Sequence, residues 1–325
     1  MYSMMVDFSV AIRTYNGEQR LPEVLDRLKT QVGVDNISWE IVIIDNNSTD
    51  NTAKIIEQYQ SDWCNSYPLK YYFEPKQGAS FARKRAIQEA QGFLIGFLDD
   101  DNVPTANWVA SAYAFGKLHP QAGAYGSRIH GDFEVEPPQN FERIAHFLPI
   151  IEREELICFN SHPDGRLGLF PPGAGLVIRK EAWLENVPDS LILQGPIGDS
   201  LAAKGEDIET LSYIKKAGWE IWFNPEMRIY HRIPKSRFER DYLLRFFRGI
   251  GLSRYWTRML KHKSWERPFM IPVYMANDCR KLILHSFQKG NEIATDVVAA
   301  SEREFLLYSF LSPFYFWINW MGRKK

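Results

Sequence analysis

Three consecutive carboxylates, Asp99, Asp100 and Asp101, follow the mostly apolar run FLIGFL at residues 93–98, and Pro104 stands close behind. Acids crowded at one strand end repel one another, so an outside charge should compensate, and a divalent cation is the economical candidate. A helix cap or solvated turn explains a single Asp in such a place; three after a strand ask for more. Arg13, Thr14, Tyr15 and Asn16 likewise follow the apolar residues 8–12, and Asp45 and Asn46 follow 41–44. Each set alone is ordinary turn chemistry. Three sets at the ends of three apolar runs make a binding cleft the better reading. Glu206 and Asp207 precede the helical stripe Ile208, Leu211 and Ile214, where the helix dipole favours carboxylates, although acids decorate many helix starts. His231 follows the run 227–230, and a lone His after a strand is more often structural than a ligand.

These residues need elements that bring strand ends side by side. Residues 8–103 alternate strand and helix patterns: Leu21, Val24, Leu25 and Leu28 form a helical stripe, Ser48, Thr49 and Asp50 offer N-caps before Ile55, Ile56 and Tyr59, and Ala79, Ala82, Ala86, Ile87 and Ala90 mark a helix closed by Gly92. Residues 8–12, 41–44, 69–73 and 93–98 are the strands. Such alternation predicts an α/β fold with right-handed crossovers, a mostly parallel sheet and helices on both faces, and ligands at the carboxyl ends of strands. No G-x-G-x-x-G follows the first strand and no P-loop occurs, against a dinucleotide or P-loop site. Further along, Pro104 is expected to open a helix through Trp108, Ala112 and Phe115, with a short strand at 122–125. Residues 131–170 read as long loops around a helical piece at 144–151, the usual form of lids or substrate walls. Residues 171–183 read as a glycine-rich turn, a strand and a helix start; Gly173 and Gly175 serve either tight turns or close approach to a ligand. Residues 219–223 and 227–230 read as two strands.

The chain has 325 residues, 45% of them hydrophobic, enough for one large domain or one and a half. A formal charge of −1 gives no argument for nucleic acid. Cys64, Cys158 and Cys279 are odd in number and far apart, so neither a disulfide framework nor a zinc knuckle is suggested and a reducing cytoplasm fits. The N-terminus lacks a basic leader and a long apolar core, so secretion is not expected.

The segments AIRTYNGE, IIDNNSTDNT, QGASFARKRAI, FLDDDNVP, GAGLVIRKEAW and GEDIETLSYIKKAGW, in this order and spacing, resemble the family 2 glycosyltransferases, inverting enzymes with the GT-A fold, over residues 6–235. The chain also resembles the branch that includes glycosyltransferases of hormogonium polysaccharide synthesis. The resemblance implies a Rossmann-like GT-A domain over 1–235, with a nucleotide-sugar-binding half at 6–125 and an acceptor-binding half at 126–235. It places Tyr15 and Asp45 around the nucleotide base with Glu18 nearby, Arg13 and Asp100 on the same donor side, and Arg83 at the nucleotide end of the donor. Asp99 would face the ribose and metal, Asp101 the metal and diphosphate, with His231 as a further metal ligand and Mn²⁺ or Mg²⁺ as cofactor. Asp207 would be the general base, with Glu206, Gly173 and Gly175 on the acceptor side. Departures are Arg13 where a proline is usual, Asn46 for the second acid of an Asp-Asp pair, and Lys84 for an Asn after Arg83. They bear on the donor's base and sugar more than on the reaction. The implied reaction moves a sugar from a nucleotide diphosphate sugar, UDP-linked first among the choices, to a polysaccharide or lipid-linked glycan, with inversion. A nucleotidyltransferase would need a glycine-rich, lysine-bearing phosphate loop that is absent. A non-catalytic sugar-nucleotide or glycan-binding protein would leave Asp207 and the metal acids dispensable.

After 235 the composition shifts. Nine Lys or Arg and three acids lie between Ser236 and Arg267, interleaved with Phe238, Leu243, Leu244, Phe246, Phe247, Tyr255 and Trp256. Residues 305–321 carry no charge, are interrupted by Pro313 and precede Arg323, Lys324 and Lys325. Residues 236–325 therefore read as a helical, basic and aromatic extension that serves as a monotopic membrane foot, with anionic lipid as partner; the competing reading packs these aromatics within the protein or into a dimer contact. The location that follows is cytoplasmic, peripheral at the inner face of the plasma membrane.

Overall fold

The computed structural model of the chain describes residues 6–167, 169–195 and 204–322. In chain order its elements are β1 (Phe8–Thr14), α1 (Leu21–Lys29), β2 (Trp39–Asp45), α2 (Thr52–Ser61), β3 (Leu69–Phe73), α3 (Ala79–Glu89), β4 (Leu94–Asp99), β5 (Asn102–Pro104), α4 (Trp108–Leu118), β6 (Ala122–Phe133), β7 (Ile157–Cys158), α5 (Pro163–Leu167), β8 (Val177–Arg179), α6 (Lys180–Asn186), α7 (Glu206–Lys216), β9 (Glu220–Ile233), α8 (Arg240–Met259), α9 (Arg267–Lys289) and α10 (Val297–Gly322). They fall into two compact units: residues up to 132, 149–191 and 210–233 form the first, and 133–148, 192–209 and those from 234 onward form the second.

The first unit is built on a sheet of order β3-β2-β1-β4-β8-β6-β9-β5, with β7 beside β9. β3, β2, β1 and β4 run parallel, as expected from their helical crossovers. Beyond β4 the sheet turns antiparallel, through the pairs β4–β8, β6–β8, β5–β9 and β7–β9. Strands buried on both faces read as continuous apolar runs, and their alternate residues feed two layers of core. Val10, Ile12, Ile41 and Ile43 pack with Leu21, Val24 and Leu25 of α1 and Trp108 of α4 on one side. Ala11, Val42, Ile44 and Phe97 pack with Ala82 and Ala86 of α3 on the other. The register sets Thr14 opposite Asp45 and Arg13 opposite Asp99, so the polar strand ends stand level.

Pro104 does not open a helix. It closes β5, the edge strand, where a missing N–H costs no ladder bond, and α4 begins at Trp108. β6 runs for 12 residues, past the expected end at 125 and into the stretch read as loop. β9 is one strand of 14 residues where two were expected, because Asn224 and Pro225 interrupt the apolar pattern without ending the pairing. Its second half alternates, with Met227, Ile229, His231 and Ile233 buried and Glu226, Arg228, Tyr230 and Arg232 exposed. The helical piece at 144–151 is reduced to 3-10 turns at Phe141–Arg143 and Ala145–Phe147.

The second unit is dominated by α8, α9 and α10. α8 buries Leu243, Phe246 and Phe247, with Phe147 packed against Phe247 and Phe305, so these α8 aromatics face protein. Gly251 admits α10 closely: a Cβ there would lie 2.8 Å from Tyr308 Cβ. α9 is tied to α8 by Arg258, which donates to both carboxylate oxygens of buried Asp278. Among the described residues no helix is long and apolar enough to cross a membrane. Arg323, Lys324 and Lys325 lie outside the described residues.

Candidate functional site

The three acids after β4 part company. Asp99 receives a hydrogen bond from Arg13 Nη2 at 2.5 Å, and its carboxylate is the more exposed of the pair. Asp100 turns to the loop leaving β1, where Thr14 Oγ1 donates at 2.7 Å and Arg20 donates through Nε and Nη2 at 2.8 and 3.0 Å. Gly17 makes room for it: a Cβ there would lie 2.5 Å from Asp100 Oδ2. Burial pushes the Asp100 carboxyl above its ordinary range, helped by Asp101 and opposed by Arg20 and Thr14. Asp101 accepts from Asn102 Nδ2 at 2.8 Å, and His231 Nε2 lies 3.7 Å from its Oδ2, as the β5–β9 register that pairs Asn102 with His231 requires. Much of the counter-charge expected from a cation is thus supplied by two guanidinium groups. Asp100 is a strut between β4 and the loop after β1, while Asp99 and Asp101 remain the pair at the strand end.

On the β2 side, Asp45 is buried and accepts from Ser48 N at 2.9 Å and from the Tyr71 hydroxyl at 3.0 Å. Burial first, and then Asp45, pushes that phenol up to about 12. Asn46 donates to the carbonyls of Glu74 and Lys76 and accepts from Gly78 N, clasping the loop between β3 and α3. Glu18 accepts from the amide and side chain of Asn51, both at 2.9 Å. Tyr15 is half-buried, and its carbonyl accepts from Arg20. Arg83, expected at the nucleotide end of the donor, is fully buried, with its guanidinium 5.1 Å from the Phe97 ring centroid.

Gly173 is buried. Gly175 has φ +64°, and a Cβ there would come within 2.7 Å of Ser127 Oγ and 2.9 Å of Ile229 Cδ1, so the packing alone demands glycine. In the second unit Glu206 is buried and Asp207 half-buried in the first turn of α7. Lys204, just before them, rests its ammonium 3.9 Å from the Phe246 ring. Burial and then Arg237 push it down to about 7, against the pull of Glu206 and Asp207.

Carboxylate oxygens are the donors that suit Mg²⁺ or Mn²⁺, and two of them leave positions for water and diphosphate oxygens. Among the described residues no group of three or more His, Cys, Asp or Glu gathers closely enough to hold a metal. Asp99, Asp101 and His231 are therefore not a ready-made three-ligand cage. The donor set fits a cation shared with a substrate.

Arg20, Asn102 and Lys204 escaped the sequence reading. For Arg20 the signal was present, since three adjacent acids required a counter-charge, but nothing in the chain pointed to a partner 80 residues away. Asn102 follows the acids directly, and Lys204 directly precedes Gly205 and Glu206.

Residues 9–168 match the family described as Glycosyl transferase family 2. The poly(ribitol-phosphate) β-N-acetylglucosaminyltransferase TarS of Staphylococcus aureus is 33% identical over 113 residues, which are 34% of this chain and 19% of that protein. The GalNAc(5)-diNAcBac-PP-undecaprenol β-1,3-glucosyltransferase of Campylobacter jejuni is 29% identical over 100 residues, 30% of each chain. The chain thus spans about a third or less of the length of these curated relatives. A structure of TarS in complex with UDP-GlcNAc gives a TM-score of 0.54 at 18% identity, covering 94% of this chain and 91% of that one. The mannosyltransferase PcManGT from Pyrobaculum calidifontis, in complex with GDP-Man and Mn²⁺, gives 0.58 at 16% identity, covering 96% and 87%. At such identities the structures speak for the fold. The sequence match and the fold agree: residues 9–168 belong to the family 2 glycosyltransferases, and the chain is built on the GT-A fold.

Proposed function

We propose that this chain is an inverting glycosyltransferase that moves a sugar from a nucleotide diphosphate sugar, UDP-linked in the first instance, to a polysaccharide or lipid-linked glycan at the cytoplasmic face of a membrane. The observation that carries the reading is the pair Asp99 and Asp101 at the carboxyl end of β4, level with the polar ends of β1 and β2. Support comes from a neighbour in complex with UDP-GlcNAc, another with GDP-Man and Mn²⁺, and a relative named for a lipid-linked substrate. In this reading 1–235 is the catalytic region, with Tyr15, Glu18 and Asp45 walling the base, Arg13 beside the donor and Arg83 supporting the floor. Asp99 and Asp101 hold Mn²⁺ or Mg²⁺, with His231 backing Asp101. When bound, the ion neutralises charge on the departing diphosphate. Asp207 takes the proton of the attacking hydroxyl, with Glu206, Gly173 and Gly175 shaping the acceptor side. Attack opposite the leaving group inverts the anomeric carbon.

Calorimetric titration of UDP, GDP and dTDP with and without Mn²⁺ tests the donor half. One nucleotide should bind in a metal-dependent way, and Asp101→Ala should lose that dependence; equal binding with and without Mn²⁺ would overturn the metal site. Asp207→Asn should bind nucleotide as wild type does while transfer falls by roughly 10² to 10⁴. An active Asp207→Asn protein would remove Asp207 from the role of base.

A further inference from the structure

We infer that α9 docks the chain on an anionic lipid surface. This rests on the membrane-side reading above and names the face responsible. α9 turns a second apolar stripe to solvent, beyond the face an ordinary surface helix packs inward. Its buried residue is an acid, Asp278, 1% exposed and held by Arg258. Ile271, Tyr274, Met275 and Leu282 are half-buried on the Asp278 side, while opposite them Phe269 is 70% exposed, Val273 57%, Ile283 49%, Leu284 44% and Phe287 85%. At 3.6 residues per turn Phe269 and Phe287 stand about five turns apart on one line, the others fall within a narrow stripe around it, and Asp278, midway between them, lies on the far side. Trp265, 68% exposed, extends the stripe just before the helix begins. An exposed apolar stripe of about 30 Å, crossed at one point by a basic residue, gains nothing from water and marks a contact surface.

Charge selects the occupant. Residues 261–290 carry Lys261, Lys263, Arg267, Arg280, Lys281 and Lys289, against Glu266 and the already paired Asp278. By helical spacing Arg280 falls within the stripe and Lys281 beside it, while no acid of α9 does. Acyl chains bounded by phosphates meet both demands, because the aromatic tips enter the acyl boundary and Arg280 reaches back to a phosphate. A second copy docked through the same face about a two-fold near the helix centre would set Arg280 against its own mate. The sequence reading had put the contact on 236–267 and 305–321. Leu243, Phe246 and Phe247 of α8 are buried, and among the described side chains of α10 Phe314, Trp317 and Ile318 are exposed. No described helix can span a bilayer, so α9 lies along the surface.

Flotation of the purified full chain with vesicles of phosphatidylcholine, alone or mixed with phosphatidylglycerol, tests the inference. Binding should require phosphatidylglycerol and weaken about tenfold or more in the double variant Phe269→Ser/Phe287→Ser and in Arg280→Glu, with thermal melting and nucleotide titration unchanged. If Phe314→Ser/Trp317→Ser abolishes flotation and the α9 variants do not, α9 is the wrong face and the membrane reading survives. If the wild-type chain floats with neither vesicle, the membrane reading falls as well, while nucleotide binding still judges the transferase reading. A wild-type dimer that the α9 variants dissociate, with no flotation, would assign the face to a second copy and overturn the lipid partner.

Discussion

Arg20 closes over Asp100 from the solvent side, engaging both carboxylate oxygens while its own side chain stays 42% exposed. Arg20→Met would leave a buried carboxylate with Thr14 as its remaining hydroxyl donor. Because water reaches the arginine, the expected loss is about 1 to 2 kcal/mol, well below that for a fully buried pair. A urea titration should show it as a lower midpoint at unchanged slope. Neighbouring Asn46 explains one departure from the family pattern. Its amide donates to two carbonyls, which a carboxylate cannot do, so the residue that looked like a lost acid is a loop clasp. Residues at strand ends were legible because type and position coincide there. Their partners were not, since Arg20, Tyr71 and Gly78 come from other segments and no local pattern announces them.

At the scale of elements, the ion pair joining α8 to α9 is nearly sealed from water, with side chains 9% and 2% exposed. Asp278→Leu alone strands Arg258 in that setting and should cost about 3 to 5 kcal/mol, whereas adding Arg258→Met should recover most of the loss. A double-mutant cycle by urea unfolding measures the difference; additive losses would mean that the pair acts as two separate contacts. β1, β2 and β4 could be read from sequence because strands buried on both faces are mostly apolar runs, and β3, the half-buried edge strand LKYYF, because it falls between two helical stripes. β5, β6 and β9 could not be bounded in the same way. Their outward residues are polar, Pro104 and Pro225 sit inside pairings that tolerate them, and antiparallel partners lie far along the chain. The alternation that makes His231 an inward residue of β9 was nonetheless written in the sequence, as MRIYHRI.

For the whole molecule, the alternating pattern foretold an α/β sheet and the composition a helical, aromatic end, but not which helix leaves an apolar stripe facing outward. That depends on where one buried acid finds its arginine, a long-range choice outside any window of the sequence. The Arg13–Asp99 and Arg20–Asp100 pairs carry a related consequence for the order of events. With a guanidinium already seated on two of the three acids, the polypeptide reaches its folded state without waiting for a divalent ion, unlike small domains whose folding free energy is the metal's own. Exhaustive dialysis against a chelator should therefore leave the melting temperature unchanged, within about 1 °C by differential scanning calorimetry. A large drop would mean that a cation staples the sheet. In the expected case a cation serving the proposed transfer would come with the donor, to acids whose charge Arg13 and Arg20 already offset.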